Sequence, residues 1–463
     1  MEVAQKQYKI DMLHGSLWNK LIAFSLPIAA TSILQQLFNS ADVAVVGRFA
    51  GSAALAAVGA NVANVGVFVN FLVGFAVGPN VVLCRLIGRQ LEKEAKKIPG
   101  TTIVLSIIMG LFLMILGEII TVPILKAIST PEEVLQDAAL YFQIYLTGLP
   151  FLAIYNFGSA LLRSVGDTKR PLICLIVSGV LNVILNLFFV IVLKMSVSGV
   201  SLATVISTAV SAIMVLVILV REKGILHLGK NILKPDFAYM ARILFEGIPA
   251  GIQSAIFSVS NMFVQSGINK FGSDAIAGSS AGLNFEYFTW DIGAAFAQGA
   301  VTFSSQNYGA SNFSRSKKIL LICLTEGFIF TGLLSLIFVI FRNQVVLFYT
   351  ADPKVIDFAI RRMMLVMSLE AFTAIYEIGC GALRGIGKSI LPSILTILGT
   401  VVFRMIWLLT VFRHFQTYES LMLVYIASWN FTSLLVLPSY FIVISKQIKN
   451  SKIKKEQKIL LSK

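Results

Sequence analysis

Apolar residues fall along this chain in long windows separated by short polar stretches. A helix needs about 20 apolar residues to cross the hydrocarbon of a bilayer. Twelve windows meet that need: Leu17–Val46, Ala53–Leu83, Thr101–Leu125, Leu135–Leu162, Pro171–Leu193, Gly199–Val220, Met240–Ile268, Ala275–Thr302, Ile319–Phe348, Ile356–Leu383, Ile390–Phe412 and Met422–Ser445. Several are longer than a straight span requires, which predicts tilted or bent helices. Pro27 and Pro249 are the expected hinges, because each lacks the N–H that its helix would use.

The windows form two sets. Ala153-Ile154-Tyr155-Asn156-Phe157-Gly158, followed by Leu162-Arg163-Ser164-Val165-Gly166 and Pro171, returns as Ala374-Ile375-Tyr376-Glu377-Ile378-Gly379, followed by Leu383-Arg384-Gly385-Ile386-Gly387 and Pro392. The offset is 221 residues, and it also carries Gly51 onto Gly272, Gly78 onto Gly299 and Gly88 onto Gly309. A one-residue slip places Pro27 on Pro249 and Asn39 on Asn261. Six windows per set give two repeats of the same orientation, related by an axis along the membrane normal, with a binding site expected between them. The fold class is an all-α membrane protein of twelve transmembrane helices in two pseudo-symmetric six-helix bundles. Its expected divisions are an N-terminal segment, 1–16, a first lobe, 17–220, a linker, 221–238, a second lobe, 239–445, and a basic tail, 446–463.

Charge orients the spans. Basic clusters occupy alternate loops, at Arg85, Arg89, Lys93, Lys96 and Lys97, at Arg163, Lys169 and Arg170, at Arg221, Lys223, Lys230 and Lys234, at Arg315, Lys317 and Lys318, at Arg384 and Lys388, and at both termini, including Lys6, Lys9 and the residues from Lys446. Cation-rich loops stay on the cytoplasmic side, so both termini are expected there. Arg342 and Arg361-Arg362 do not fit that pattern. The net charge of +15 describes topology and an anionic lipid surface as partner, and no nucleic acid is expected. Composition agrees, because 57% hydrophobic and 13% charged residues, with a mean hydropathy of +0.83, leave too little polar surface for a soluble protein of 463 residues. Met1–Gly15 lacks the pattern of a cleaved signal, so the first span is expected to be retained.

Enzymatic chemistry finds little support. Cys84, Cys174, Cys323 and Cys380 lie in or beside apolar windows without CxxC spacing, which indicates neither a disulfide framework nor a thiolate metal site. His14, His227 and His414 are the only histidines, none in a triad or zinc motif, and there is no phosphate-binding GxxxxGK[ST] loop. Neither a metal nor a bound cofactor is expected. Energy for transport would come from an ion gradient, a partner ATPase or the substrate's own gradient.

The chemistry therefore rests on polar residues inside the windows. A carboxylate at the bilayer centre costs about 2.5–3.5 kcal/mol, and its retention marks an ion, proton or substrate path. Asp42 is the clearest case, with Asn39 on the same helix face in Gln35-Gln36-Leu37-Phe38-Asn39-Ser40-Ala41-Asp42. The alternative for Asp42 is an end-of-helix position near the outer surface. Asn182 and Asn186 share a face of the fifth window and serve either as hydrogen-bonding partners of a carboxyl or substrate, or as glue between helices. In the second half the candidates are Glu286, Asp291, Glu370 and Glu377. Glu377 is the repeat mate of Asn156, whereas Glu286 has Val65 as its mate and belongs to one lobe alone. Arg404 needs a partner, and a structural salt bridge is its expected role.

Asn39-x-x-Asp42-x-x-x-Val46-Gly47, Leu162-Arg163-Ser164-Val165-Gly166-Asp167, Ser201-Leu202-Ala203-Thr204, Ser305-Gln306-Asn307-Tyr308-Gly309-Ala310 and Gly381-Ala382-Leu383-Arg384-Gly385-Ile386-Gly387 resemble, in order and over nearly the whole chain, the landmarks of the multidrug and toxic compound extrusion (MATE) family. The resemblance implies two bundles around a V-shaped cavity and cation-coupled antiport of drugs. It puts the family's first-helix acid on Asp42, its kink proline on Pro27, its amides on Asn156 and Asn182, and an eighth-helix acid on Glu286. Two positions depart from the family's pattern: Asn186 stands where many relatives carry Asp, and Phe257 where sodium-coupled relatives carry Glu.

The function expected from the sequence is a secondary antiporter, not an enzyme, in the cytoplasmic or inner membrane. It exports amphipathic, cationic molecules in exchange for H+ (or Na+) as a monomer. The candidate coupling or substrate-binding residues are Asp42, Asn39, Gln35, Asn156, Asn182, Asn186, Thr204, Glu286 and Glu377. Protons are favoured, because isolated carboxylates flanked by amides suit a protonation switch better than a multi-oxygen sodium cage. The alternative is a lipid-linked saccharide flippase of the wider superfamily, which calls for a more cationic interior. A passive channel or a membrane enzyme is a more distant reading.

Overall fold

A computed structural model describes residues 9–128, 130–229 and 234–461. Lys6, Lys230 and the last two residues of the basic tail lie outside the described residues. The principal helices are α1 Trp18–Val45, α2 Ser52–Phe75, α3 Val77–Gly88, α4 Ile98–Ala127, α5 Glu132–Leu146, α6 Leu149–Ser164, α7 Lys169–Leu187, α8 Val197–Arg221, α9 Phe237–Ile268, α10 Ser273–Gly309, α11 Phe313–Ile340, α12 Pro353–Leu365, α13 Ala371–Gly385, α14 Ile390–Thr396, α15 Phe403–Leu409 and α16 Tyr418–Leu461.

These helices realise the twelve predicted spans. Among the described residues nine are long and apolar enough to cross a membrane, and two more spans are bent pairs, α5 with α6 at 42° and Pro353–Leu369 with α13 at 47°. The twelfth is α10, 37 residues long but marked by Asn284, Glu286, Asp291 and Gln298. It tolerates them because it packs against α11, α12 and α13, and Glu286 is buried there. Apolar side chains such as Ile119 and Leu434 are about 70% exposed, as a lipid-facing surface requires. Pro27 and Pro249 stand inside continuous helices.

The repeat is carried by the backbone itself. Left-handed conformations recur at the same offset of 221, with φ 90° at Gly51 and 89° at Gly272, 86° at Gly166 and Gly387, and 60° at Gln90 and 59° at Ser311. The bends of the two broken spans also fall at matching positions, before Leu149 and at Glu370. A β-carbon on Gly158 would come within 2.3 Å of Val215, and one on Gly379 within 2.7 Å of Val436, again mates.

Contacts divide the chain into two compact units that exchange helix segments. The first holds the segment ending at Ile10, then Ala30–Leu83 and Leu91–Ser258; the second holds Asp11–Ala29, Cys84–Gln90 and the chain from Val259. The first part of α9 thus packs in the first unit, where a β-carbon on Gly78 would meet the Ile243 carbonyl at 2.5 Å. The mates of those residues pack in the second unit, where a β-carbon on Gly299 would lie 3.6 Å from Leu21 and 3.0 Å from Ser25 Oγ. There too Gly88 crosses Gly309: a β-carbon on either would sit 2.0 Å from the Gln306 carbonyl or 2.4 Å from the Arg85 carbonyl. Arg85 and Gln306 are themselves mates, so this crossing is close to self-complementary.

Ion pairs and a backbone hydrogen bond account for the unplaced arginines. Arg361 pairs with Asp357 at 2.9 Å and Glu419 at 3.3 Å, Arg342 donates to the Val339 carbonyl at 3.0 Å, and Arg362 is buried against Glu286. In the first unit, Lys9 and Arg170 both reach Glu222, each at 2.7 Å, and Arg170 also binds Asp167. Burial pushes the Glu222 carboxyl up, but the hydrogen bonds from Lys9 and Arg170 outweigh it and hold the group below the ordinary glutamate value.

Candidate functional site

Three helices of the first unit bring together four of the predicted residues. Asp42 lies near the end of α1, just before a π-helical turn at Val46–Ala50, and Asn186 near the end of α7, just before a second at Phe188–Val192. Such wide turns are uncommon and recur at functional sites. The Asn186 amide donates to Asp42 Oδ1 at 2.5 Å and also lies 3.3 Å from Asn182 Oδ1, as the i, i+4 spacing of the two asparagines allows. Asn182 in turn donates to Thr204 Oγ1 of α8 at 3.4 Å. The Thr204 hydroxyl lies 3.0 Å from the Val200 carbonyl and is also within hydrogen-bond reach of Asp42.

The partners of Asp42 are thus an amide and a hydroxyl, which stabilise a carboxylate without cancelling its charge. Asn186 Oδ1 is buried and has no hydrogen-bond partner among the described residues. It is an acceptor next to a carboxyl, placed to accept a hydrogen bond from a neutral Asp42 if the amide turns over. The same two side chains can therefore satisfy either protonation state. Tyr141 and Tyr145, stacked with ring centroids 6.3 Å apart on α5, lie within electrostatic reach of Asp42. Tyr145 lines a narrow crevice with Gly148, Leu149, Leu152, Thr204 and Thr208. Sequence reading missed these tyrosines, although their i, i+4 spacing in an apolar window is a signal.

The other candidates stand apart. Asn39 is exposed and Gln35 half-buried on α1, and among the described residues neither joins the hydrogen-bonded cluster. Asn156 donates to the Leu152 carbonyl of its own helix at 3.0 Å. Its mate Glu377 is half-buried in the second unit and lies within electrostatic reach of Arg384.

Glu286 requires a correction, since it is not an isolated carboxylate. Arg362 binds it bidentately, Nε to Oε1 at 2.7 Å and Nη2 to Oε2 at 2.8 Å, with both side chains under 10% exposed. Its charge is matched in place. Arg404 donates to Ser428 Oγ at 3.1 Å and to Asn261 Oδ1 at 2.7 Å.

A twelve-helix, two-repeat membrane protein with an acid–amide cluster inside its first unit defines a transporter. The MatE family model matches residues 27–188 and again 249–409, one match per repeat, and the chain belongs to the MatE family of membrane transporters. Similar proteins include "Probable multidrug resistance protein YoeA" of Bacillus subtilis (strain 168), 27% identical over 402 residues that cover 85% of this chain and 86% of the relative. "Probable multidrug resistance protein NorM" of Thermotoga maritima is 26% identical over 406 residues, 86% of each chain. Among solved structures, an outward-facing multidrug resistance MATE family transporter of the MOP superfamily superposes with a TM-score of 0.88 at 20% identity, covering 95% of this chain and 98% of that one.

Proposed function

We propose that this protein exports amphipathic organic cations, in the manner its multidrug-resistance relatives are named for, in exchange for H+, with Na+ as the alternative coupling ion. The observation that carries this reading is the Asp42 cluster: a carboxyl held by Asn186 with Thr204 within reach, beside an amide oxygen that can accept a hydrogen bond from its neutral form. A cationic substrate and a proton compete for the same carboxylate, so binding one releases the other, and exchange follows when the site opens alternately to each side. Tyr141 and Tyr145 add aromatic faces that suit an organic cation. A place in the cell membrane with both termini cytoplasmic fits the distribution of basic loops, which also favour anionic lipid on that face. Glu286 is left out of the exchange, because removing its charge would strand Arg362 in the interior.

The test is efflux of a fluorescent organic cation from proteoliposomes under proton and sodium gradients imposed separately. Asp42→Asn is expected to abolish gradient-driven efflux at wild-type expression and reconstitution. Wild-type rates in that variant under both gradients would remove Asp42 from coupling.

A further inference from the structure

Beyond the Asp42 cluster, toward the ends of its helices, lies a cavity of about 380 Å³ lined by Phe49, Ala50, Val190, Ile191, Lys194 and Ser196. The continuations of the same three helices build it. Phe49 and Ala50 follow Asp42 by seven and eight residues, Val190 and Ile191 follow Asn186 by four and five, and Ser196 stands at the start of α8, eight residues before Thr204. At about 1.5 Å of rise per residue, the walls lie roughly 6–12 Å along their helices from the cluster. The two π-helical turns supply four of the six wall residues. In the orientation proposed above, this is the outer side.

Lys194 is the ionisable group of the wall. It is exposed, and among the described residues no hydrogen bond or ion pair engages its side chain. Its backbone is left-handed, with φ 56°, and so is that of Gln416, 222 residues on in the second unit, with φ 42°. The turn therefore belongs to the repeat, whereas the charge belongs only to the unit that bears Asp42. Arg48, exposed in the same π-helical turn as Phe49, adds a second cation. The cavity volume falls within the range of about 300–1,000 Å³ typical of small-molecule sites, so size does not keep an organic cation out. Charge can.

We propose that this cavity is the outer entrance to the Asp42 cluster and that Lys194 is its specificity-determining residue, opposing the return of an exported organic cation. A bulky cation must carry its charge past the ammonium group. A proton need not, because water or an anionic acid can deliver it: the donor gives its proton to the Asp42 carboxylate and leaves with the matching negative charge. One unit charge at about 10 Å changes the local concentration of a monovalent ion by about twofold in water and by more than tenfold at an effective dielectric of about 20. This inference rests on the reading of Asp42 as the exchange site.

The first test is the potential in the cavity, read on the full chain in right-side-out vesicles. Cys84, Cys174, Cys323 and Cys380 are all buried, so a thiol introduced by Ala50→Cys, or by Ser196→Cys if the first variant does not fold, stands against a low background. Anionic and cationic methanethiosulfonate reagents are added from outside, and their rates are normalised to a free thiol. The anionic reagent is expected to react about threefold faster or more, with the preference kept in Lys194→Arg, lost in Lys194→Asn and reversed in Lys194→Glu. Asparagine suits the neutral variant because it tolerates the left-handed backbone. The second test is inhibition of proton-driven efflux by the same organic cation added outside, which needs no cysteine. Its half-inhibiting concentration is expected to fall about threefold in Lys194→Asn and about tenfold in Lys194→Glu, with Lys194→Arg at the wild-type value. No external labelling at either position, a reagent preference that Lys194→Glu leaves unchanged, or an unaltered half-inhibiting concentration overturns the proposal. Any of these with efflux lost in Asp42→Asn sinks this inference alone, whereas intact efflux in Asp42→Asn removes the reading beneath it.

Discussion

Replacing Arg362 by Met strands the Glu286 carboxyl in the interior of the second unit. Both partners are nearly inaccessible, at 1% and 7% side-chain exposure, and both guanidinium arms are engaged at 2.7 and 2.8 Å. Removing one partner of a buried pair of this kind costs about 3–5 kcal/mol, chiefly because the remaining charge has lost its compensation. The contact of Arg362 with the Tyr425 ring is lost in the same step. Replacing both partners by apolar residues, as in Glu286→Leu with Arg362→Met, removes the uncompensated charge, and the double variant is expected within about 1 kcal/mol of wild type. Unfolding by SDS in mixed micelles, measured for wild type, both single variants and the double variant, gives the coupling energy directly. Arg362→Met costing under about 1 kcal/mol, or a double variant no more stable than the singles, would refute the buried-pair reasoning. Because the pair is structural in this account, the double variant keeps gradient-driven efflux.

Asn186→Leu removes both the donor and the acceptor beside Asp42 and is expected to slow efflux about tenfold or more, while Asn156→Leu, outside the cluster, stays within about twofold; initial rates in proteoliposomes compare them. Gly309→Ala, which drives a β-carbon to 2.4 Å from the Arg85 carbonyl, is expected to destabilise by about 1–3 kcal/mol, while Gly59→Ala, with nothing within 4 Å, is neutral or slightly stabilising, as thermal melts would show. Glu222→Gln is expected to cost about 2 kcal/mol at neutral pH, less than a fully buried pair because Lys9 is 34% exposed. The sign follows from the lowered pKa of Glu222: its contribution is complete above the unfolded value of about 4.3 and is lost as the pH falls through the lower folded value, so wild type and variant converge in acid melts.

The spans and the repeat were legible because membrane helices must be apolar along their length and because mates such as Gly166 and Gly387 keep the same left-handed backbone. The Asp42 cluster was partly legible: an acid in an apolar window and two asparagines at i, i+4 point to chemistry, but nothing in the sequence places α1 beside α7. Glu286 was misread for the same reason, since its partner lies 76 positions away on another helix. Arg362 did leave a trace, as one of two adjacent cations inside an apolar window that the positive-inside pattern does not place. The exchange of the first parts of α1 and α9 between units left none, because both are apolar helices whose packing partners the sequence does not name.

The central claim is that substrate and proton compete for Asp42. Its most direct measurement is proton release on adding an organic cation to purified protein in weakly buffered detergent, followed with a pH indicator. The account predicts saturable release from wild type and none from Asp42→Asn. Equal release from both proteins, or binding to wild type without release, would contradict it.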